Sequence, residues 1–522
     1  MVQQQEQEAA SVGASLRRLD GAEKVTGQAR YAGDQALPGM LYARLVHSPY
    51  AHARLLSVDS AAALSVPGVV AVFTAETLGM SRSNPLSRSQ SPLAQHEALW
   101  CGHPVAVVVG ESEASAEDGA AAVEVEYEPL PVVIDPEIAL RADSPPARVS
   151  REGASPGEEA RSANIIQTFP VRLGDIEVGL READVVVEGS YRTHPVHQSY
   201  MEPHTVTVSP GPSARHLTVW ASTQGLFHTR STVASALGVP ERQVQVEPVP
   251  IGGGFGGKET LLEPLAAAIA TRLRKPVRLG YSRQEDLLAG NPAPQTVLTV
   301  KLGAKRDGTL TAIQATLLID SGAYPYALAG FSGYHFTSVY RCPHIDVRCD
   351  VVQTNKPGTG SYRAPFGPQA YFALESTVQE LCQQLGIDPL EFRRVNGFRD
   401  GDPNMMRGRW PHIGLQECLE RIRQHPLWVE RGQSRQETPE GLKGWKIGVG
   451  VAAGGWAGAT EPAAALCRME RDGSFTLVVG SVDVSGSDTS LALIAAQELS
   501  LPASAIYVTH DNTDSMPYSG LS

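Results

Sequence analysis

Hydrophobic and polar positions change their rhythm along the chain. From about Lys24 to Val133 short apolar runs alternate with Ala-rich stretches: Leu41 to Val46, Val69 to Phe73 and Val105 to Val109 read as strands. Ala114 to Ala122 reads as a helix feeding a strand at Val123 to Tyr127. From Ile165 onward the apolar residues gather into longer strands with dense turn punctuation, at Val185–Tyr191, Thr205–Val208, His216–Trp220, Thr296–Leu302, Thr309–Asp320 and Asp346–Thr354. Glu259 to Arg274 and Ala370 to Leu385 predict helices, the second carrying Tyr371, Phe372, Leu374, Val378 and Leu381 at helical spacing. A further β-rich start at Trp445–Gly450 leads to strands at Ala463–Arg468 and Ser474–Val482, a helix at Leu491–Leu499 and a strand at Ala505–Thr509. The pattern predicts an α+β fold divided into a first unit at 15–134, a linker rich in Pro, Ser, Ala and Glu at 135–164, and further units at 165–430 and 431–522. The Gln/Glu-rich tail at 1–14 lacks periodicity and predicts disorder.

Charge and cysteine usage narrow the partners. Lys and Arg total 44 against 56 Asp and Glu, a net charge of −12, and no basic stretch offsets it, which argues against nucleic acid or an anionic membrane. No run of about 18 apolar residues is present to span a bilayer. Arg17-Arg18 is followed by Leu19-Asp20-Gly21-Ala22-Glu23-Lys24 instead of an apolar region, so a twin-arginine export signal is not formed. The six cysteines, Cys101, Cys342, Cys349, Cys382, Cys418 and Cys467, are scattered without Cys-x-x-Cys spacing. Iron–sulfur clusters need grouped thiolates, so these read as free thiols of a reducing, cytoplasmic protein.

The densest chemical signal is Pro250-Ile251-Gly252-Gly253-Gly254-Phe255-Gly256-Gly257-Lys258-Glu259, with five glycines around one aromatic. Glycine lets a backbone come close to a rigid polar ligand, because it has no Cβ and accepts positive φ. A P-loop requires Ser or Thr after Gly-Lys, and Glu259 stands there. Gly252, Gly254 and Gly257 can be read as a dinucleotide fingerprint, but Pro264 falls early in the helix that should receive the pyrophosphate. A glycine-rich turn without a ligand is the remaining alternative.

The sequence Gly-Gly-Gly-Phe-Gly-Gly-Lys-Glu resembles a signature of the xanthine dehydrogenase/aldehyde oxidase family of molybdenum hydroxylases, and further motifs similar to that family occur in its order. Arg18, Asp20, Lys24, Val25, Thr26, Gly27, Tyr31 and Asp34 resemble its N-terminal opening, followed by His47-Ser48-Pro49 and Ala51-His52-Ala53. Gly102-His103-Pro104 with Val105 to Val109, and Val123 to Pro131, come next. Trp220-Ala221-Ser222-Thr223-Gln224 precedes the glycine loop, and Ser361-Tyr362-Arg363-Ala364-Pro365-Phe366-Gly367-Pro368-Gln369 follows it. The resemblance covers all but about the first dozen residues. It implies a hammerhead domain followed by a molybdenum-cofactor-binding domain.

The resemblance also implies a molybdenum ion held by the dithiolene of a pterin, with the cytosine dinucleotide as one form of that molybdopterin. Oxygen from water is inserted at a C–H of an aldehyde or N-heterocycle, and electrons pass to 2Fe-2S and FAD partner subunits. Gln224 matches the glutamine whose side-chain amide approaches an oxygen on the metal, and Phe255 the residue whose backbone N–H does the same. Gly253, Gly254 and Gly256 make room for that approach, and Arg363 with Ala364 matches the loop beside the metal. No residue is implied as a direct metal ligand. Glu259 is a candidate substrate contact, since the matching glutamate bonds the ring in purine-oxidising relatives; a helix N-terminal carboxylate is the other reading.

Departures from the family pattern bear on substrate and on completeness. The position of a purine-binding arginine falls within Ala327-Leu328-Ala329-Gly330-Phe331-Ser332, where there is none. The copper-binding cysteine of carbon monoxide dehydrogenases is replaced by Ala364. His194, His197 and His204 invite a metal-site reading, against which packing is favoured. Where many relatives carry Gly-Gln-Gly, this chain has Asp483-Val484-Ser485-Gly486-Ser487-Asp488-Thr489. The family's base glutamate belongs to a C-terminal segment beyond Ser522. The expectation is therefore a truncated subunit completed by a separate chain carrying the C-terminal molybdenum domain, or alternatively a non-catalytic scaffold.

Overall fold

Strands buried on both faces need apolar residues at every position, and Pro104–Gly110 is buried along its whole length. In the computed structural model this strand lies near one edge of a seven-stranded sheet, in the order Val244–Glu247, Leu217–Ala221, Thr205–Pro210, Val277–Gly280, Leu41–His47, Pro104–Gly110, Val69–Phe73. The structure describes residues 12–80, 87–149, 162–211, 216–404, 408–431, 444–445, 448–456, 458 and 461–521. The predicted disordered tail lies outside the described residues except for 12–14, as does much of the second half of 135–164.

Leu41–His47 pairs antiparallel with Pro104–Gly110 on one side and parallel with Val277–Gly280 on the other, Leu41 facing Val277. Strands from both sides of 135–164 therefore share one sheet and one core. The described part of that stretch is packed: Ala139 and Ala147 are buried with Val133, Leu318 and Val352. Asp135 caps the short helix Pro136–Ala139, and Asn355 accepts from the Val133 N–H while donating to the Ala147 carbonyl, each at 2.9 Å. Its Ala and Pro content reads as a tether from composition, but the same residues bury readily when asparagines satisfy the backbone.

A five-stranded sheet, ordered Ile165–Leu173, Ile345–Val352, Leu310–Asp320, Thr296–Ala304, Val185–Thr193, is covered by the helix Gly367–Leu385. Leu374, Val378 and Leu381 face the core as expected, whereas Phe372 is 51% exposed and lies edge-on to Tyr191. The three-stranded sheet Ala465–Met469, Phe475–Val479, Ile506–Thr509 is backed by the helix Ser487–Leu499. No strand forms among the described residues of Trp445–Gly450. The helix expected from Glu259 begins instead at Glu263, with Pro264 in its first turn, where a missing N–H costs nothing. Glu263, buried and accepting from the Leu261 N–H at 2.8 Å, is the helix-end carboxylate. Glu259 stands clear of the helix.

One buried ion pair ties the long helix to the next. Arg393 donates through Nε and Nη2 to Glu375 Oε2 at 3.0 and 2.6 Å, and Glu375 also accepts from the Tyr340 hydroxyl and, at 2.7 Å, the Ala453 N–H. Arg393 is wholly buried and Glu375 nearly so. Removing the carboxylate strands the guanidinium, so Glu375→Ala is expected to destabilise the fold by about 3–5 kcal/mol, read from denaturant unfolding; a loss below about 1 kcal/mol would show that water reaches Arg393.

Candidate active site

The glycine loop leaves the first sheet after Val244–Glu247, while the Arg363 loop leaves the second sheet before the long helix. They meet directly: the Arg363 N–H donates to the Phe255 carbonyl at 2.9 Å. Gln224, at the end of the strand Leu217–Ala221, lies beneath the glycine loop and is only 6% exposed. Its Oε1 accepts from the Gly256 N–H at 2.8 Å and from the Lys258 N–H at 3.3 Å. With Oε1 so engaged, the other end of the carboxamide is a donor. A Cβ on Gly254 would sit 2.4 Å from that Oε1, and one on Gly256 would sit 2.9 Å from the Ser361 carbonyl. Those two glycines are what allow the loop, Gln224 and the Ser361 segment to close on one another.

Several residues here adopt left-handed backbone without being glycine: Phe255 (φ 54°), Ala364 (57°), Phe366 (64°) and Ser485 (60°). Each costs on the order of 1 kcal/mol or more. At Phe255 the turn leaves its N–H without a hydrogen-bond partner among the described residues, beside a cleft of about 690 Å³. Gln224, Phe255, Glu259, Ser361, Arg363 and Ala364 all line that cleft, so it gathers the candidates from three separate stretches of sequence. Phe331, Trp456 and Leu328 supply apolar walls, and Val484 and Ser485 a further rim. Arg363 is exposed, and its guanidinium forms no ion pair among the described residues.

Behind the loop lies a buried polar frame. Lys258 is wholly buried on Glu202, whose Oε2 also accepts from the Gly252 N–H at 2.7 Å. His204 reaches the Gly257 carbonyl through Nε2 at 3.1 Å and Asp286 Oδ1 through Nδ1 at 3.0 Å. The Tyr200 hydroxyl donates to the same Asp286 oxygen at 2.9 Å. His197 approaches Asp286 at 3.9 Å, and His194 is exposed. His204 thus packs, as expected, whereas His194 lies at the surface, and among the described residues no group of three or more His, Cys, Asp or Glu gathers to hold a metal. Burial alone would push the Asp286 carboxyl up, but His197, His204 and Tyr200 outweigh it and hold it well below the usual carboxylate range. Tyr200 moves up, by burial and then by the Asp286 charge.

Sequence reasoning missed Ser361 and Tyr326 as partners of Glu259, and Phe331 and Trp456 as walls. Ser361 donates to Glu259 Oε1 at 2.6 Å and lies 2.6 Å from the Tyr326 hydroxyl. Their polar and aromatic character was visible, but not their convergence across 102 and 35 positions.

The chain matches the molybdopterin cofactor-binding domain models over 158–397 and 421–522, and the aldehyde oxidase and xanthine dehydrogenase hammerhead domain model over 26–131. It is 32% identical to the xanthine dehydrogenase molybdenum-binding subunit of Escherichia coli O157:H7, covering 96% of this chain and 68% of that one. It is 31% identical to the nicotinate dehydrogenase large molybdopterin subunit of Eubacterium barkeri, covering 80% of this chain and 97% of that one. Among solved structures, quinoline 2-oxidoreductase from Pseudomonas putida 86 superposes with a TM-score of 0.82 at 25% identity, over 98% of this chain and 68% of that one. Carbon monoxide dehydrogenase from Oligotropha carboxidovorans gives 0.83 at 28% identity, with the same coverage of both chains. Fold and cleft define a molybdopterin-dependent oxidoreductase of the hydroxylase type. The chain belongs to the xanthine dehydrogenase/aldehyde oxidase family, as a molybdenum-binding subunit spanning about two thirds of the length of its Escherichia coli relative.

Because the Asp286 pKa is depressed on folding, its contribution to stability is full above the ordinary value of 3.8 and is lost as the pH falls below it. Asp286→Asn is expected to lower the thermal midpoint near neutrality and to flatten its decline between about pH 5 and pH 3. A decline as steep as that of the parent protein would remove Asp286 from the acid response.

Proposed function

We propose that this chain holds the molybdenum–pterin cofactor over the glycine loop and oxidises a planar N-heterocycle in the cleft beside it. The observation that carries the reading is the coincidence, in one cleft, of two donors, a cation and a carboxylate: the Phe255 N–H, the Gln224 carboxamide, Arg363 and Glu259. The donors fit oxygen atoms carried by such a group, and the two glycines under the loop leave the room its approach requires. When bound, the cofactor supplies the insertion of a water-derived oxygen at a substrate C–H and takes up two electrons. Gln224 and the Phe255 N–H hold oxygen-bearing groups from fixed positions, so the reaction pays little reorganisation there.

Substrate class follows from the other side of the cleft. Phe331, Trp456 and Leu328 offer apolar and aromatic walls suited to a flat ring, and Glu259 and Arg363 an acceptor and a donor for its polar edge. An aldehyde would leave the Glu259 carboxylate unused. Leu328 and Phe331 occupy the segment where purine-oxidising relatives carry an arginine, which disfavours xanthine, and Ala364 offers no thiolate for copper. Subunits carrying 2Fe-2S and FAD are proposed to receive the electrons, the cytosine dinucleotide remains the proposed form of the pterin, and the scattered cysteines favour the cytoplasm.

Purified natively with its partners, the chain is expected to carry near-stoichiometric molybdenum and, with an artificial electron acceptor, to turn over N-heterocycles in preference to aldehydes. A stable complex without molybdenum would favour the scaffold reading instead. Gln224→Glu keeps an acceptor for the Gly256 and Lys258 N–H groups but replaces the donor end. It is expected to lower kcat by roughly 10²–10³-fold with an unchanged unfolding midpoint. Unaltered turnover would sink the assignment of Gln224.

A further inference from the structure

Glu259 does not stand alone in the cleft. Ser361, 9% exposed, donates its only hydroxyl proton to Glu259 Oε1 at 2.6 Å. The 2.6 Å contact between Ser361 Oγ and the Tyr326 hydroxyl can then be made only with Tyr326 as the donor. Tyr326 is 6% exposed, its ring tilted against Phe366 at 5.6 Å. Burial, and then the Glu259 charge, push the Tyr326 pKa up, so the phenol keeps the proton it donates. Gln198 Nε2 pins the Ser361 carbonyl at 2.6 Å, which fixes the backbone that carries this hydroxyl. Among the described residues Glu259 makes no other hydrogen bond, so Oε2 is the oxygen available to a molecule in the cleft.

We propose that the relay from Tyr326 through Ser361 locks Glu259 as an acceptor-only group, and that the cleft thereby selects rings that already carry an N–H over pyridine-type rings whose nitrogen is itself an acceptor. This rests on the reading of Glu259 as a substrate contact. Both hydroxyls are spent along the relay, so neither can turn to offer a proton to an acceptor nitrogen. A ring nitrogen with a lone pair would face a carboxylate oxygen, two acceptors in contact, and would lose a hydrogen bond that an N–H gains. A cyclic amide also offers a carbonyl to Arg363. The substrate class is therefore a lactam-type N-heterocycle, and the reaction supplying it is one that leaves an oxygen on the carbon beside the ring nitrogen. Tyr326 and Ser361 are positioning residues.

The test uses the molybdenum-loaded complex and calorimetric binding of 2-pyridone and N-methyl-2-pyridone, which differ only at the ring nitrogen. The parent protein is expected to bind 2-pyridone roughly ten- to a hundredfold tighter. Tyr326→Phe and Ser361→Ala should each cut that preference about tenfold, leaving N-methyl-2-pyridone affinity and the unfolding midpoint unchanged; with turnover substrates the loss should fall on KM. Glu259→Gln should abolish the preference. If it does while Tyr326→Phe and Ser361→Ala retain the full preference, the relay is wrong and the Glu259 reading stands. No preference in the parent protein, or its survival in Glu259→Gln, overturns the Glu259 reading and the relay together.

Discussion

The site rests on one contact that only glycine permits, the hydrogen bond from the Gly256 N–H to Gln224 Oε1. For that bond to form, the loop must pass so close to Gln224 that any Cβ on Gly254 would fall within 2.4 Å of the same oxygen. The bond fixes which end of the carboxamide is engaged, and it sets the turn in which Phe255 is driven to φ 54° with its N–H beside the cleft. The Phe255 carbonyl then receives the Arg363 N–H, so the second loop is positioned by the first. One absent methyl group thus organises residues contributed by two different sheets.

The strained backbone around the cleft is held by its surroundings. Phe366 at φ 64° caps the long helix, and Ala364 at φ 57° lies between Arg363, bonded to the glycine loop, and Pro365, whose carbonyl meets His335 Nε2 at 3.0 Å. A flexible loop would relax such conformations; here both ends are anchored, which is the condition under which strain persists at a site. The shared seven-stranded sheet does the same on a larger scale, since the strand after the glycine loop's helix pairs with the first strand of the N-terminal unit.

Local signals were legible and convergence was not. Most strands of the two large sheets could be read from β-branched runs, and the helix over Ala370–Leu385 from its period, because both depend on neighbours in sequence. Gln224, Phe255, Glu259 and Arg363 could be marked as candidates from motif resemblance, and all line one cleft. The start of the helix after the glycine loop differs from expectation because Glu259 and Thr260 are good helix-entry residues, whereas Glu259 is held by Ser361 and the chain runs through bends until Glu263. Tyr326 carried no signal and Ser361 appeared only as the first residue of the Arg363 motif, since the role of both beside Glu259 is defined only by where two loops meet. The 135–164 stretch shows the limit of composition: its described half is packed by Asn355, a residue more than two hundred positions away.

The frame behind the loop is hard to justify as a source of stability. Lys258, Glu202, His204, Tyr200 and Asp286 bring several charges into a nearly dry interior, and apolar residues of similar volume would hold such a space as well or better. What apolar residues would not do is hold individual backbone atoms. Glu202 grips the Gly252 N–H, Lys258 is tied to Glu202, and His204 grips the Gly257 carbonyl, so both shoulders of the glycine turn are fixed by directional bonds. Asp286 in turn bonds the Nδ1 of His204, which leaves Nε2 facing the loop as the group that meets the Gly257 carbonyl. The cost of the frame is accounted for by geometry: a loop of five glycines has little preference of its own, and directional bonds are what single out one of its many conformations.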